Sequence, residues 1–118
     1  GGAASNDFVV YRYADVLLMK AEALFNVGNT GGAKLLMDQV RARAGLPALA
    51  SDPTLTDILD ERGRELCWEG HRRQDLIRFG KFTAARDFKP ASSDHVTLFP
   101  IPTSAINANK NLKQNKGY

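Results

Sequence analysis

Residues 61–80 restrict the fold of this chain more than any other part of it, because acidic and arginine side chains alternate there at helical spacing. The stretch reads ERGRELCWEGHRRQDLIRFG, so its charges surround several large apolar residues and its end is a glycine. A solvated helix carries such charges at little cost, but Leu66, Trp68 and Leu76 indicate that some of them lie against a core. We therefore predict that Cys67 is a buried, inert thiol. Trp68 is predicted to be a core residue, with a ligand-binding platform as the alternative.

The composition is typical of one small globular domain with a single core, since 43% of the 118 residues are hydrophobic and 25% are charged. The sequence contains neither a run of about 18 apolar residues that could span a membrane nor a signal peptide. Residues 1–7 lack an initiator methionine and are predicted to be a tag or loop remnant, which suggests a fragment of a longer protein. Cys67 is the single cysteine, so an internal disulfide and a multi-cysteine zinc site are excluded.

The net charge of +3 is distributed unevenly along the chain. Residues 1–60 carry five basic and seven acidic side chains, whereas residues 61–118 carry eleven basic and six acidic ones. A basic half can indicate nucleic-acid binding, but here the arginines are interleaved with Glu and Asp, and no aromatic stacking strip accompanies them. The pattern therefore favours internal ion pairing over nucleic-acid binding.

Residues 8–45 are predicted to form two amphipathic helices joined by a short loop, which is an antiparallel helical hairpin. The first helix covers about Val9–Val27, and Gly28 can adopt the left-handed conformation that ends a helix. The second helix begins after Thr30 or Gly31 and ends at Gly45. The residues predicted to be buried are Val10, Tyr13, Leu17, Ala21 and Leu24 in the first helix and Ala33, Leu36, Met37, Val40 and Ala44 in the second.

Residues 54–89 are predicted to form a charged helix and a short companion helix. The pair Thr54 and Asp57 indicates the start of the charged helix, which is predicted to continue to about Glu69. Gly63 inside this helix is less favourable than alanine by about 1 kcal/mol, so we expect it to make a close contact with another helix. The companion helix and one further turn are predicted over residues 72–79 and 81–86.

Residues 90–118 are predicted to be extended and irregular, because the prolines of Phe99–Pro102 push their preceding residues toward extended backbone. Thr103 or Ser104 can cap one short helical turn. By composition alone, the Asn- and Lys-rich end from Asn107 onward is typical of a flexible tail, with an ordered wrap along the surface as the alternative. For residues 90–118 as a whole we predict an extended wrap. The predicted fold class is therefore all-α, with tetratricopeptide-like helical hairpins followed by an extended, irregular C-terminal segment.

Glu65 and Glu69 lie four residues apart and share a helix face, which raises glycoside hydrolysis as one interpretation. That chemistry needs two carboxylates on opposite sides of a cleft, and nearby arginines would keep both groups ionised and make them poor general acids. A structural ion-pair network is therefore the favoured interpretation. His71 and His95 lack the spacing of metal ligands, so no metal site is predicted. No catalytic residue and no cofactor-binding residue is assigned.

Five motifs in this chain resemble, in the same order, sequence motifs of the SusD/RagB family. Residues 11–24 resemble the helix R-x-A-D-V-L-L-x-x-A-E-A, and residues 40–47 resemble the element that follows it. Residues 61–80 match the signature E-R-x-x-E-L-x-x-E-G-x-R-x-x-D-L-x-R-x-G. Residues 98–102 and 111–118 resemble the terminus L-F-P-I-P followed by N-x-x-L-x-Q-N-P-G-Y.

The resemblance implies the C-terminal portion of a cell-surface lipoprotein of Gram-negative bacteria that is largely α-helical and is not an enzyme. Members of that family capture glycans, in some cases peptides, and deliver them to a TonB-dependent outer-membrane transporter that they cover like a lid. The implied partners are a polysaccharide or oligosaccharide and that transporter, with no cofactor and a membrane link only through a lipid anchor outside this chain. The motif residues carried over as determinants of the fold, in a structural ion-pair network, are Arg62, Glu65, Glu69, Arg72, Asp75 and Arg78.

The sequence departs from the family pattern at two motif positions. Gly63 stands where an arginine is common, which removes one ion-pair member, and Lys116 replaces the usual proline, which loosens the expected terminal turn. No ligand-binding residue is assigned, because the glycan-contacting aromatic residues of the family come chiefly from outside this segment. Two other functions stay open, namely a tetratricopeptide-like protein-interaction module without a sugar role, and a hydrolase.

Overall fold

The structure, a computed structural model, describes Ser5, Asp7 and residues 9–118. The tag or loop remnant predicted at residues 1–7 lies outside the described residues apart from two positions. Within the described part the chain is helical and forms no β-strand, which confirms the all-α class predicted from the sequence.

The chain divides into two compact units, Gly1–Asp75 and Leu76–Tyr118, whereas the sequence predicted a single core. The first unit contains most of the buried apolar side chains that the structure describes. These residues come from three helices and the turn after them: Ala14, Leu18, Ala21, Ala33, Met37, Val40, Ile58, Leu59 and Leu66.

Helices α1 (Tyr13–Asn26) and α2 (Thr30–Arg43) form the predicted hairpin and pack against each other. Gly28 in the short connection has a φ of +83°, as predicted for a residue that ends a helix. The side chain of Asn29 caps α2 by accepting a hydrogen bond from the N–H of Gly32 at 2.9 Å. Local sequence signals therefore account for both helices and for their connection.

The buried face of α1 differs from the predicted stripe. Ala14, Leu18 and Ala21 are buried, whereas Tyr13, which was predicted to be buried, is 73% exposed. The helix turns a neighbouring face toward the core because this orientation also buries Asp15, which pairs with an arginine of the third helix. Of the other residues predicted to be buried, Ala33, Met37 and Val40 are buried, Leu17, Leu24 and Leu36 are half-buried, and Val10 and Ala44 are exposed.

Helix α3 (Leu55–Glu65) begins at the predicted cap. Thr54 and Asp57 form a capping box, in which the N–H of Asp57 donates to Thr54 Oγ1 at 3.2 Å and the N–H of Thr54 donates to Asp57 Oδ2 at 2.7 Å. Ile58 and Leu59 then place the apolar face of α3 in the core of the first unit.

The end of α3 corrects the prediction that this helix continues to about Glu69. The main-chain carbonyl of Glu65 accepts a hydrogen bond from Arg12 Nη2. The N–H of Glu69 instead donates to the carbonyl of Leu66 at 3.1 Å, so a turn replaces the last predicted helical turn. A distant side chain therefore ends the helix where the local pattern would continue it.

The turn over residues 66–70 overturns two predictions. Cys67 is exposed instead of buried, and Trp68 is 97% exposed with a φ of +66° instead of lying in the core. Leu66 alone among the large apolar residues of this turn is buried, at 2% exposure. Both predictions assumed that the helix continued through these residues. In the turn, the side chains of Cys67 and Trp68 no longer have the directions that a continuing helix would give them.

Helix α4 (Arg72–Arg78) is the predicted companion helix. Gly63 of α3 faces its first residue, because a Cβ at Gly63 would lie 2.6 Å from Arg72 Nη1. The expected close contact at this glycine is therefore confirmed, although a side chain and not a helix backbone makes it.

In the unit Leu76–Tyr118, the further helical turn predicted over residues 81–86 is wrong. Arg86 and Lys89 exchange two backbone hydrogen bonds of 2.9 Å each, so the chain forms a tight turn instead. Phe88 in this turn is fully exposed and has a φ of +60°.

A 3-10 helix (Asp94–Thr97) and helix α5 (Thr103–Ala108) follow in the same unit. The residue that caps α5 is Pro102, not the predicted Thr103 or Ser104, and no side-chain cap is formed. The preceding proline supplies an extended backbone that leads directly into the helix.

The chain end is hydrogen-bonded along the segment before α5. Gln114 accepts from the N–H of Ile101 at 2.8 Å and donates to the carbonyl of the same residue at 2.9 Å. Asn115 Nδ2 donates to the carbonyl of Phe99 at 2.7 Å, and the Tyr118 hydroxyl donates to a nearby main-chain carbonyl at 2.8 Å. The end of the chain is therefore bonded to residues 98–101 and does not form the flexible tail that its composition alone indicates.

Candidate functional site

Arg62 of α3 forms two buried ion pairs, one with a residue of α1 and one with a residue of α4. Its Nη1 lies 2.8 Å from Asp15 Oδ1 of α1, and its Nε lies 2.8 Å from Asp75 Oδ2 of α4. All three residues are buried, with Arg62 at 4% exposure and Asp15 at 1%. Removing such charges from water is unfavourable unless they are paired and hydrogen-bonded, and this arrangement gives both carboxylates the same guanidinium donor.

Arg12, the residue before α1, binds the carboxylates of Glu65 and Glu69, which were predicted to share one helix face. Its Nε and Nη2 donate to the carboxylate of Glu69 at 2.8 and 2.7 Å, and its Nη1 donates to Glu65 Oε1 at 2.5 Å. The hydrogen bonds from Arg12 hold the pKa of Glu69 below its usual range. A carboxylate that stays ionised is a poor general acid, so this geometry disfavours the arrangement of a glycosidase.

Two arginines at the end of α2, Arg41 and Arg43, form ion pairs with glutamates of α3. Glu61, which is 3% exposed, lies 2.7 Å from Arg64 and 3.1 Å from Arg41. Glu65 accepts a further hydrogen bond from Arg43 at 2.8 Å. The charged face of α3 is therefore directed toward its neighbours in the first unit and not only toward solvent.

The six residues predicted for an ion-pair network have two kinds of surroundings. Arg72 Nη1 donates to the main-chain carbonyl of Leu59 at 2.8 Å, and its Nη2 lies 3.9 Å from Asp60 in an exposed pair. The guanidinium of Arg78 lies 5.2 Å from the centre of the Phe79 ring. The other four, which take part in the ion pairs described above, are Arg62, Asp75, Glu65 and Glu69.

Sequence reasoning missed several partners of these residues, although a signal for two of them was present. Arg12 and Asp15 both belong to the motif R-x-A-D at the start of the first helix, so their charges could have been assigned to the same network. The other partners also lie in motif segments, Arg41 and Arg43 in residues 40–47 and Glu61 in residues 61–80. Motif order alone does not show which of these charges meet, because their pairing depends on how α2 and α3 pack.

The two histidines contact aromatic rings. The ring centre of His71 lies 6.3 Å from that of Tyr11, and His95 meets Tyr118 edge to face at 4.9 Å. Among the described residues, no group of three His, Cys, Asp or Glu side chains is placed to hold a metal ion. No helix in the part of the chain that the structure describes is long and apolar enough to cross a membrane.

A groove of about 420 Å³ lies between α1 and α2 in the first unit. Its volume is in the range of pockets that accept small ligands. Arg12 and Arg43 line it, but Arg12 pairs with Glu65 and Glu69 and Arg43 pairs with Glu65, so two carboxylates balance the two positive charges. Its remaining lining residues are Tyr13, Ala14, Leu17, Gln39 and Val40.

Comparison with known proteins relates this chain to one group. Residues 1–94 match the model of the SusD family. The chain is 36% identical to the starch-binding protein SusD of Bacteroides thetaiotaomicron, over 95% of this chain and 22% of that protein. It is 32% identical to the SusD-like protein P38 of Formosa agariphila, over 95% of this chain and 25% of that protein. The chain thus spans about a quarter of the length of these curated relatives.

Solved structures show the same relationship at the level of the fold. The surface glycan-binding protein A from Bacteroides thetaiotaomicron, in complex with laminarihexaose, matches with a TM-score of 0.78 and 34% identity, over 93% of this chain and 25% of that one. A SusD superfamily protein from Parabacteroides distasonis matches with a TM-score of 0.80 and 33% identity, over 94% of this chain and 27% of that one. Sequence and fold therefore relate the chain to the same proteins.

Proposed function

Because this chain belongs to the SusD family, we propose that it is part of a cell-surface lipoprotein that captures glycans without catalysing a reaction. The captured polysaccharide or oligosaccharide is delivered to a TonB-dependent transporter of the outer membrane. The observation that carries this proposal is the 36% identity to a starch-binding protein over nearly the whole chain. The structural relative in complex with laminarihexaose supports the same class of ligand.

The role of this segment in such a protein is mainly structural. The buried pairs of Arg62 with Asp15 and Asp75, and the binding of Glu65 and Glu69 by Arg12, support this role because these charges satisfy one another. A charged group that is already paired inside the protein is less available to bind a ligand.

Isothermal titration of the complete protein, as its organism produces it, against a panel of polysaccharides tests the proposed function. The panel includes soluble starch and laminarihexaose, with free glucose as the monosaccharide control. We expect heat of binding with at least one polysaccharide and no new products after prolonged incubation. Tight association with a transporter but no heat with any glycan would favour the protein-interaction module, and product formation would contradict a binding function.

The structural role of the segment is tested with Glu61→Gln, which weakens two ion pairs and lies on the buried side of α3. We expect a lower midpoint of thermal unfolding and an unchanged glycan affinity at temperatures where the variant is folded. A change in glycan affinity without a change in the unfolding midpoint would contradict the structural role.

A further inference from the structure

Helix α1 is apolar on nearly every side, although the first unit buries only one of its faces. The charged and amide residues of this helix are Asp15, Lys20, Glu22 and Asn26. Ala14, Leu18 and Ala21 face the core of the first unit. A helix that is apolar all round is typical of the interior of a larger protein, so the other apolar residues of α1 indicate a second packing partner.

The second apolar face of α1 is the stripe that periodicity predicts to be buried. Tyr13, Leu17 and Leu24 recur there at helical spacing and therefore lie on one side of the helix. Tyr13 is 73% exposed, and the two leucines are half-buried. Val16, three residues after Tyr13, is 47% exposed and widens this face. The sequence pattern and the observed burial agree if residues outside this chain cover the stripe.

This stripe forms one wall of the groove between α1 and α2. Tyr13, Ala14 and Leu17 line the groove from α1, and Gln39 and Val40 line it from α2. The groove has a volume of about 420 Å³. A depression between two packed helices accepts the row of side chains on a third helix, because helices pack by fitting ridges into grooves.

The charges that line the groove already have partners within the chain. Arg12 pairs with Glu65 and Glu69, and Arg43 pairs with Glu65. A site for a polar ligand needs placed polar groups that can bind it, whereas an apolar helix face gains free energy simply by leaving water. The lining therefore favours the apolar side chains of a protein segment.

The source of that segment follows from the length of the relatives. The chain spans 22% and 25% of two curated relatives, and 25% and 27% of two solved structures. Most of a protein built like these therefore lies outside the 118 residues. A helix that belongs to the same polypeptide is present at a high effective concentration, so it has an advantage over a separate partner.

We propose that the groove between α1 and α2 binds the apolar face of a helix that belongs to the same polypeptide and lies outside these 118 residues. In the complete protein, α1 is then packed on both sides. This inference rests on the proposed function only in that the chain is part of a longer protein. It goes further because it assigns an interaction surface to this segment and names the kind of partner.

Photo-crosslinking of the complete protein identifies the occupant of the groove. Tyr13→p-benzoyl-phenylalanine places a photoreactive ketone in the groove, and mass spectrometry after irradiation and digestion locates the cross-linked peptide. We expect a cross-link within the monomer to a peptide outside the 118 residues. Irradiation in urea is the control, because the unfolded protein should not form this cross-link.

Alkylation of a thiol in the groove measures whether the groove is covered. Gln39→Cys introduces this thiol at a position that is exposed in the 118-residue chain. Alkylation of this position, followed by peptide mass spectrometry, is expected to be at least about tenfold slower in the complete protein than in the 118-residue chain. Ala42→Cys is the matched control in the 118-residue chain, because Ala42 is an exposed residue of α2 that does not line the groove. The two thiols should react at similar rates there.

Several results would overturn the inference. A cross-link to a second copy or to a separate protein would assign the groove to a different partner. The absence of any cross-link, or equal alkylation of Gln39→Cys in both proteins, would show that no helix covers it. Slow alkylation of Gln39→Cys beside fast alkylation of Ala42→Cys in the 118-residue chain would show that this chain fills its own groove. In each case, heat of binding between the complete protein and a polysaccharide would leave the proposed function intact.

Discussion

The two compact units of this chain are stabilised by different interactions. In Gly1–Asp75, packed helices bury a continuous set of apolar side chains, and Arg62 is buried between two carboxylates. Of the described residues in Leu76–Tyr118, Leu76 alone is a buried apolar residue. This second unit is connected instead by hydrogen bonds from polar side chains to the main chain, such as those of Gln114 with Ile101.

This contrast shows what a polar side chain contributes in each setting. In the first unit, a charged group is buried, and its removal leaves its partners buried without compensation. In the second unit, the loss of a side-chain amide leaves main-chain groups without that partner, but water can reach these groups more easily and bond to them. We therefore expect single substitutions of polar residues to have larger effects in the first unit than in the second.

The largest expected effect is that of Arg62→Ala. This substitution leaves Asp15 and Asp75 buried without their shared guanidinium, and we expect the free energy of unfolding to fall by about 3–5 kcal/mol. Urea unfolding followed by circular dichroism measures this change. Arg64→Ala is the control, because the Arg64 side chain is 55% exposed and a surface pair contributes about 0–1 kcal/mol. Equal losses in the two variants would contradict the difference between a buried and an exposed charge in the first unit.

If Arg62→Ala does not fold, an apolar replacement of the whole buried cluster keeps the comparison testable. The triple variant Asp15→Leu, Arg62→Met, Asp75→Leu removes all three charges together and keeps apolar volume in their place. Such replacements are often neutral or stabilising, so we expect this variant to fold. A triple variant that also fails to fold would show that the cluster does more than satisfy its own charges.

A smaller effect is expected for Gly63→Ala. Alanine is favoured over glycine in a helix by about 1 kcal/mol, but its Cβ would lie 2.6 Å from Arg72 Nη1. Displacing Arg72 breaks its bond to the carbonyl of Leu59, and hydrogen bonds of charged groups contribute about 1.5–3 kcal/mol. We therefore expect a net loss of about 1 kcal/mol in the free energy of unfolding, from the difference of these two terms.

A double-mutant cycle decides whether this explanation is correct. In an Arg72→Ala background the close contact is gone, so Gly63→Ala should increase the free energy of unfolding by about 1 kcal/mol. A substitution that destabilises the chain by the same amount in both backgrounds would contradict the role of Arg72.

A local effect is expected for Gln114→Ala in the second unit. This variant removes both hydrogen bonds to Ile101, each of which contributes about 0.5–1.5 kcal/mol at most. Amide hydrogen exchange should become faster at Ile101 while exchange in α1 to α3 stays unchanged. Lys113→Ala, at an exposed neighbouring position, is the control. Faster exchange throughout the first unit would contradict the independence of the two sets of interactions.

The smallest effect concerns pH and Glu69. The pKa of Glu69 is lowered in the folded chain because its carboxylate accepts hydrogen bonds from Arg12. A carboxylate with a lowered folded pKa contributes stability above its unfolded pKa, near about 4.3, and loses it as the pH falls through the folded value. We expect the midpoint of thermal unfolding to fall below about pH 4.5. Glu69→Gln should show a shallower decrease in this range, and an identical pH profile would contradict the assignment.

Much of the local structure could be predicted because its causes lie within a few residues. The capping box of Thr54 and Asp57 begins α3, and the positive φ of Gly28 ends α1, both as predicted. The tail could not be predicted in the same way, because Gln114 and Ile101 are separated by 13 residues. An Asn- and Lys-rich composition indicates solvent exposure, but it does not show which main-chain groups its amides will bind.

The candidate site shows the same limit more clearly. The sequence by itself determined the helical hairpin, the start of α3 and the family to which the chain belongs, because those depend on periodicity, local hydrogen bonds and motif order. Only the tertiary structure decided that α3 ends at Glu65 and that Trp68 faces water. The reason is that Arg12, 53 residues away from Glu65, binds the main-chain carbonyl of Glu65, which a continuing helix would pair with the N–H of Glu69. Arg12 also binds the carboxylates of Glu65 and Glu69.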